Sequence, residues 1–161
     1  MGLKVTRATD YAIRAMIHLA CLPEDAQALR DDVARSQGIP SSFMAKILRN
    51  LVQARLLVSS RGVNGGFALA GPASDITLLQ IVEAVEGPIA IVTCVEGGSG
   101  CVRTRECPAA PVWATVQESV RSILGSTSVE DLVSAPRRNG RVTMIPRMRA
   151  VNCPVTLQQL E

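Results

Sequence analysis

The sequence predicts a mostly α-helical chain with a small β-hairpin, organised as a winged helix-turn-helix that is followed by a long dimerisation helix. Three observations predict this fold class. Apolar residues recur at helical spacing in several segments, a glycine separates two early helices, and a glycine-rich turn joins two strand-like segments directly after them. With 161 residues, of which 47% are hydrophobic, the chain is long enough to bury one compact core.

The first predicted helix covers residues 10–21. Its apolar residues form one broad stripe at helical spacing, and Thr9 or Asp10 can cap its first amides. Cys21 ends this helix, where a buried small side chain is the common environment. We therefore expect Cys21, like Cys153 near the end of the chain, to take no part in the chemistry.

Two further helices are predicted over residues 29–36 and 41–54, with Gly38 between them. Glycine adopts the left-handed conformation that a tight turn needs, and Ser41 or Ser42 can cap the third helix. This pattern is typical of a helix-turn-helix, although a helical hairpin in an ordinary core has the same pattern. The apolar residues at helical spacing that predict the third helix are Phe43, Met44, Ile47, Leu48 and Leu51.

A β-hairpin is predicted next, from a strand over 56–60, a glycine-rich turn over 61–66 and a strand over 67–70. A hairpin in this place is a wing. The third helix can then enter the major groove while the hairpin tip reaches the DNA backbone or the minor groove. The residues that we expect to contact DNA are Ser41, Ser42, Lys46, Arg49, Arg61 and Asn64, and Lys4, Arg7 and Arg14 can add phosphate contacts.

The second half of the chain contains three more predicted helices. An amphipathic helix covers 76–86, and a long helix with a regular apolar stripe covers 108–124. We expect that stripe to pack against a second copy of the chain, because two-fold symmetry suits a small DNA-binding unit. A capping-box pattern from Thr127 to Glu130 predicts a last short helix that ends at Val133.

These patterns divide the chain into three parts. Residues 1–72 form the winged helix-turn-helix, 73–134 contain a cysteine loop and the dimerisation helices, and 135–161 are expected to be a flexible basic tail. The net charges of 1–61, 62–134 and 135–161 are +4, −5 and +4. A basic N-terminal third indicates a surface that meets phosphate, although a solvated charged surface has the same composition.

Several classes of protein are excluded by what the sequence lacks. Aromatic residues make up only 2%, too few to stack successive bases of a single strand. We found neither a membrane span nor a signal peptide, so we expect a cytoplasmic protein without membrane contact. No Ser/His/Asp set, paired catalytic carboxylates or nucleotide loop is evident, so we do not expect an enzyme.

Three cysteines lie between the two long helices of the second half: Cys94, Cys101 and Cys107. The spacings are wider than those of zinc knuckles, and they suit a loop around something larger than one ion. The glycines of this loop let the backbone approach closely. The pattern therefore favours an iron-sulfur cluster, with two or four irons, whose fourth ligand comes from elsewhere.

Three alternatives remain open for these cysteines. They are zinc held by three thiolates and a further ligand, a reversible thiol switch between Cys101 and Cys107, and a loop of unligated thiols. A separate alternative is a zinc- or thiol-switch redox-responsive protein, or an accessory protein of cluster assembly, that does not act on DNA. Retardation of promoter DNA by the purified dimer separates these hypotheses.

The chain resembles the winged-helix iron-sulfur regulators typified by IscR, NsrR and RirA, over about residues 1–134. The resemblance rests on residues 9–14, 61–69, 76–87 and 129–133 together with the three cysteines. It implies a homodimeric transcription regulator, expected to be a repressor, whose cluster controls DNA affinity and senses nitric oxide, iron or cluster status. The cluster ligands that the resemblance implies are Cys94, Cys101 and Cys107.

The resemblance also suggests a fourth ligand. Ala110 stands where IscR-like members have a histidine ligand, so that ligation is absent. NsrR-like members carry a Thr-Asp pair at the start of the first helix, and the aspartate reaches the cluster of the other subunit. Asp10 matches that position, so the ligand pattern is closest to the NsrR-like members.

Overall fold

The computed structural model of the chain describes residues 5–23, 26–62, 65–92 and 106–135, together with the backbone of 137–138 and 141–142. Of the predicted site residues, Asn64, Cys94 and Cys101 lie outside the described residues, as do Lys4, Cys153 and most of the segment 135–161. In the part of the chain that is described, no helix is both long enough and apolar enough to cross a membrane.

The predicted fold class is confirmed: the structure is mostly helical and has a two-stranded antiparallel hairpin after the third helix. The elements are α1 (Arg7–Ala20), α2 (Arg30–Gln37), α3 (Ser41–Gln53), β1 (Leu57–Ser60), β2 (Gly66–Leu69), α4 (Leu78–Glu86), α5 (Ala110–Gly125), α6 (Val129–Val133), β3 (Arg137–Arg138) and β4 (Arg141–Val142).

Helix α1 begins three residues earlier than predicted, and its cap is different. Thr6 is the N-cap, and its hydroxyl oxygen accepts hydrogen bonds from the amides of Ala8 and Thr9. The prediction that Thr9 or Asp10 caps the helix is therefore wrong. Thr9 is instead buried, and Asp10 lies in the first helical turn, where a carboxylate is favoured by the helix dipole.

Helix α1 is the central element of the core. It packs against α2, α3, α4, α6 and β2, and Ala12, Ala15 and Met16 are fully buried at these contacts. Small side chains let the surrounding helices approach closely. Helix α3 contributes three of the largest fully buried side chains, Met44, Leu48 and Leu51. The core thus fixes α3 by one face and leaves the opposite face to solvent.

The turn between α2 and α3 is built as predicted. Gly38 has a φ of +63° and closes α2 in the left-handed conformation, which glycine adopts without steric cost. The start of α3 differs from the prediction, because Pro40 is its N-cap and no side chain caps it. The expectation that Ser41 or Ser42 caps α3 is therefore wrong; the Ser41 hydroxyl donates to the carboxylate of Asp31 on α2.

The wing is a hairpin in which Leu57 pairs with Leu69 and Ser60 pairs with Gly66. A third segment joins it. Ala28, in the connection between α1 and α2, pairs with Phe67 through two backbone hydrogen bonds of 2.9 and 3.1 Å. A Cβ at Gly66 would lie 2.7 Å from the carbonyl oxygen of Ala28, so this close approach requires glycine.

The remaining elements complete the chain. Thr77 and Gln80 form a capping box at α4, and Ser128 and Asp131 form one at α6. The latter lies one residue beyond the predicted box, because Ser128 rather than Thr127 has the extended backbone of a cap. Strands β3 and β4 form a second short hairpin, with Arg138 opposite Arg141, which the lack of periodicity after Pro136 did not predict.

Candidate nucleic-acid interface

One face of α3 carries most of the residues predicted to contact DNA. Ser42, Lys46 and Arg49 are spaced by four and three residues and are all exposed, and such spacings place side chains on the same side of a helix. The opposite side holds the buried residues Met44, Ile47, Leu48 and Leu51. The exposed face is therefore polar and basic, and it is presented by a helix whose position the core fixes.

Two further predicted contact residues lie beside this face. Ser41 is exposed, but its hydroxyl is already engaged with Asp31, whose carboxylate also accepts from Arg30. These hydrogen bonds lower the pKa of Asp31 to about 2, with that from Arg30 as the largest cause and that from Ser41 next. Arg61 is exposed at the end of the wing strand β1, where a cation can meet a phosphate.

Arg14, expected as a phosphate contact, has several partners within the fold. Its guanidinium lies 3.6 Å from the carboxylate of Asp10 and 5.9 Å from the centre of the Tyr11 ring. It also donates to the carbonyl oxygen of Gln37 at the end of α2, where a cation is favoured by the helix dipole. Arg14 therefore connects the first turn of α1 to the helix-turn-helix, a role that charge counting alone does not reveal.

Phe43 shares the helical spacing of the other apolar residues of α3 but is not buried with them. Its relative exposure is 56%. The ring stands edge-on to Tyr11 of α1, with centroids 6.4 Å apart and an interplanar angle of 84°. Its position in the first turn places it at the edge of the buried face, which the spacing of apolar residues alone did not resolve.

Of the predicted cluster ligands, Cys107 and Asp10 lie in the described part of the chain. Cys107 is a free, half-buried cysteine three residues before α5. Asp10 is 58% exposed and pairs only loosely with Arg14. No three potential metal ligands converge among the described residues. Cys21, expected to be a bystander, is disulfide-bonded.

A second contact joins the start of α1 to the end of α4, and sequence reasoning missed it. The Thr9 hydroxyl donates to the carboxylate of Glu86 at 2.6 Å, and Thr6 donates to the same oxygen. Glu86 is the last residue of α4, and the chain beyond it continues toward the cysteine loop. Thr9 and Glu86 are 77 residues apart, so no local pattern could have indicated their contact.

The comparisons with known proteins agree with this geometry. The family model Rrf2, described as an iron-dependent transcriptional regulator, matches residues 5–135. A Mycobacterium tuberculosis protein provisionally named as an HTH-type transcriptional regulator is 33% identical over 130 residues, which are 81% of each chain.

Two solved structures extend the comparison. CymR, the global cysteine regulator of B. subtilis, is 26% identical with a TM-score of 0.67, covering 82% of this chain and 97% of that one. T. potens IscR is 27% identical with a TM-score of 0.62, covering 82% of this chain and 87% of that one.

Proposed function

Because the chain belongs to the Rrf2 family of DNA-binding transcriptional regulators, we propose that it is a homodimeric repressor whose DNA affinity is controlled by an iron-sulfur cluster. The proposal assigns it a sensing role toward nitric oxide, iron or cluster status, and no enzymatic activity. The observation that carries its DNA-binding part is the basic, exposed face of α3 opposite a fully buried one.

The proposed interface places α3 in the major groove. Ser42, Lys46 and Arg49 then contact base edges and phosphates, while Arg61 and Asn64 of the wing contact the backbone or the minor groove. Ser41 contributes through Asp31, because their hydrogen bond links the start of α3 to α2.

The salt dependence of DNA binding tests this interface. Arg61→Ala is expected to weaken binding and to lower the slope of log K against log salt by about one unit, the effect of losing one phosphate contact. Arg55→Ala is the control, since Arg55 is an exposed arginine that follows α3 and is not among the residues expected to contact DNA. Equal slopes for wild type and Arg61→Ala would contradict a phosphate contact at Arg61.

The proposed cluster is held by Cys94, Cys101 and Cys107 of one subunit and by Asp10 of the other. The described residues fit this group: Cys107 is a free thiol with partial exposure, thiolates are the usual ligands of iron-sulfur clusters, and Asp10 is exposed at the surface where a second subunit can reach it. When bound, the cluster supplies a redox- and ligand-sensitive centre.

The contacts of Asp10 indicate how the site could influence DNA binding. Asp10 pairs with Arg14, and Arg14 holds the carbonyl of Gln37 beside the turn of the helix-turn-helix. Drawing Asp10 toward the other subunit leaves Arg14 with fewer partners. The hydrogen bond from Arg14 to the carbonyl of Gln37 then changes in strength or geometry, and the position of α3 changes with it.

The experiment that tests the cluster is an anaerobic visible spectrum with iron and sulfide assays on the same sample. Wild type is expected to be coloured, with near-equal iron and sulfide. Cys107→Ser is expected to lose both, whereas Asp10→Ala keeps the three cysteines and should retain a cluster that is lost faster to a chelator. A colourless wild type that resists anaerobic reconstitution would overturn the cluster but not DNA binding.

A thiol switch is a second candidate, and two observations favour it. The chain is similar in structure to CymR, and Cys21 is disulfide-bonded while Cys107 is a free thiol. In this case DNA affinity changes with thiol oxidation without iron. Gel retardation of metal-free protein, with and without a thiol reductant, distinguishes this candidate from the cluster.

A further inference from the structure

The exposed ring of Phe43 is not explained by the packing of α3. Met44, Leu48 and Leu51 are completely buried and Ile47 is 2% exposed, whereas Phe43 is 56% exposed. Exposing a large apolar side chain forgoes a substantial part of the stabilisation that its burial would give. On a surface that faces the major groove, an exposed Phe side chain can make apolar contact with a base edge.

The ring lies next to the proposed DNA-reading residues. Lys46 is three positions beyond Phe43, and residues three apart are neighbours on a helix surface. Ser42 precedes Phe43 directly, and all three lie in the first two turns of α3. In helix-turn-helix proteins, the N-terminal residues of the recognition helix are the ones that reach base edges.

The ring is also held in place. Its edge-to-face contact with Tyr11 is within the favourable range for aromatic pairs, and Tyr11 is in turn covered by the guanidinium of Arg14. A ring supported from behind in this way presents a fixed apolar surface, which loses little conformational freedom on contact with a ligand.

We infer that Phe43 contacts the methyl group of a thymine in the DNA sequence that this protein recognises. In the major groove the thymine C5-methyl is the apolar group that base edges present, so it is the DNA partner that an apolar ring fits. This inference rests on the proposed placement of α3 in the major groove, and it assigns a specificity role to a side chain that carries no charge.

The test removes the same methyl group from the DNA and its partner from the protein. A bound sequence is first selected from random duplex DNA with the wild-type protein. Each thymine is then replaced in turn by deoxyuridine, which lacks only the methyl group. Wild type is expected to lose about fourfold in affinity at one thymine of each half-site, the effect of one buried methylene-sized group. Phe43→Ala is expected to show no loss there.

Two control variants sharpen the result. Lys46→Ala should bind all duplexes more weakly but keep the fourfold methyl effect, because it removes a neighbouring charge only. Phe43→Leu keeps an apolar group and should keep part of the effect, which covers the case in which Phe43→Ala does not fold.

The outcomes separate this inference from the proposed function. If wild type selects a sequence but the methyl effect is equal in wild type and both Phe43 variants, the inference is overturned and DNA binding stands. If the Phe43 variants change only the oligomeric state, the ring belongs to a contact between copies and the inference is also overturned. If wild type selects no sequence, the inference and the proposed function both fail.

Discussion

His18 is the buried titratable residue that couples the fold to pH. Its side chain lies between α1 and α2, with Nδ1 3.3 Å from the hydroxyl oxygen of Ser36. That hydroxyl donates to the carbonyl of Val33, so it accepts from His18, which assigns the proton of the neutral ring to Nδ1. Burial lowers the pKa of His18 below 6.5, and the nearby Asp32 carboxylate opposes this only in part.

The direction of this shift predicts how stability depends on pH. Since the folded state disfavours the charged ring, the unfolded state binds the proton first as the pH falls. The free energy of unfolding should therefore be at its full value above about pH 6.5 and decline below it. His18→Gln should lack this part of the decline in urea titrations between pH 7.5 and 5.5. Ser36→Ala removes the hydrogen bond but no titrating group, so it should lower the free energy of unfolding by a similar amount across this pH range. A decline in His18→Gln as steep as in wild type would contradict the assignment of the pH dependence to His18.

At the scale of elements, the end of α3 contains the one non-glycine residue with positive φ among the described residues. Arg55 has a φ of +60°, and the amide of Leu56 bonds to the carbonyl of Leu51, as in a Schellman ending, where glycine is preferred. Arg55→Gly should raise the free energy of unfolding by about 0.5–1 kcal/mol. Gly38→Ala is the reverse change and should lower the free energy of unfolding. A Cβ at Gly38 would meet no atom within 4 Å, so the cost comes from the strained backbone alone. Thermal or urea unfolding should show opposite shifts; a loss of stability in Arg55→Gly would contradict the prediction.

For the whole molecule, α5 is the helix that is least buried among the described residues. None of its residues is buried, and Val112, Trp113, Val116 and Ile123 are among the most exposed large apolar side chains. Among the described residues, α5 is engaged through the ion pair of Arg121 with Glu83 of α4 at 2.6 Å and through Gln117, whose side-chain oxygen accepts from the amide of Ile91. An apolar helix face of this kind fits a second copy of the chain.

The proposed homodimer can be tested by placing a charge on this face. Ile123→Asp should convert the dimer to a monomer in sedimentation equilibrium, because a desolvated carboxylate opposes association, and it should weaken operator binding since two half-sites are no longer engaged together. Val58→Asp introduces the same charge at an exposed valine on β1 and should leave the dimer intact. A dimer that persists in Ile123→Asp would exclude α5 from the interface.

The sequence was sufficient to predict the order of elements from α1 to α6, but not β3 and β4, because that order depends on local signals. The periodicity of apolar residues, Gly38 in the turn and the glycines of the wing act within a few residues. Contacts between distant segments were not predictable in the same way. Arg14 was assigned to phosphate because a cation near a DNA-binding unit suggests it, but its actual partners, Asp10, Gln37 and Tyr11, meet only in the folded chain.

The pairing of Ala28 with Phe67 has a consequence for the mechanics of the reading unit. Two backbone hydrogen bonds tie the wing to the connection between α1 and α2, and a side chain at Gly66 would force them apart. These bonds oppose tilting of strand β2 relative to the helix-turn-helix, so they help to set the position of the wing strands before DNA binds. The amides of Ala28 and Phe67 should exchange their hydrogens with solvent only when the whole unit unfolds. A wing held at a fixed distance from α3 should favour DNA whose groove width matches that distance.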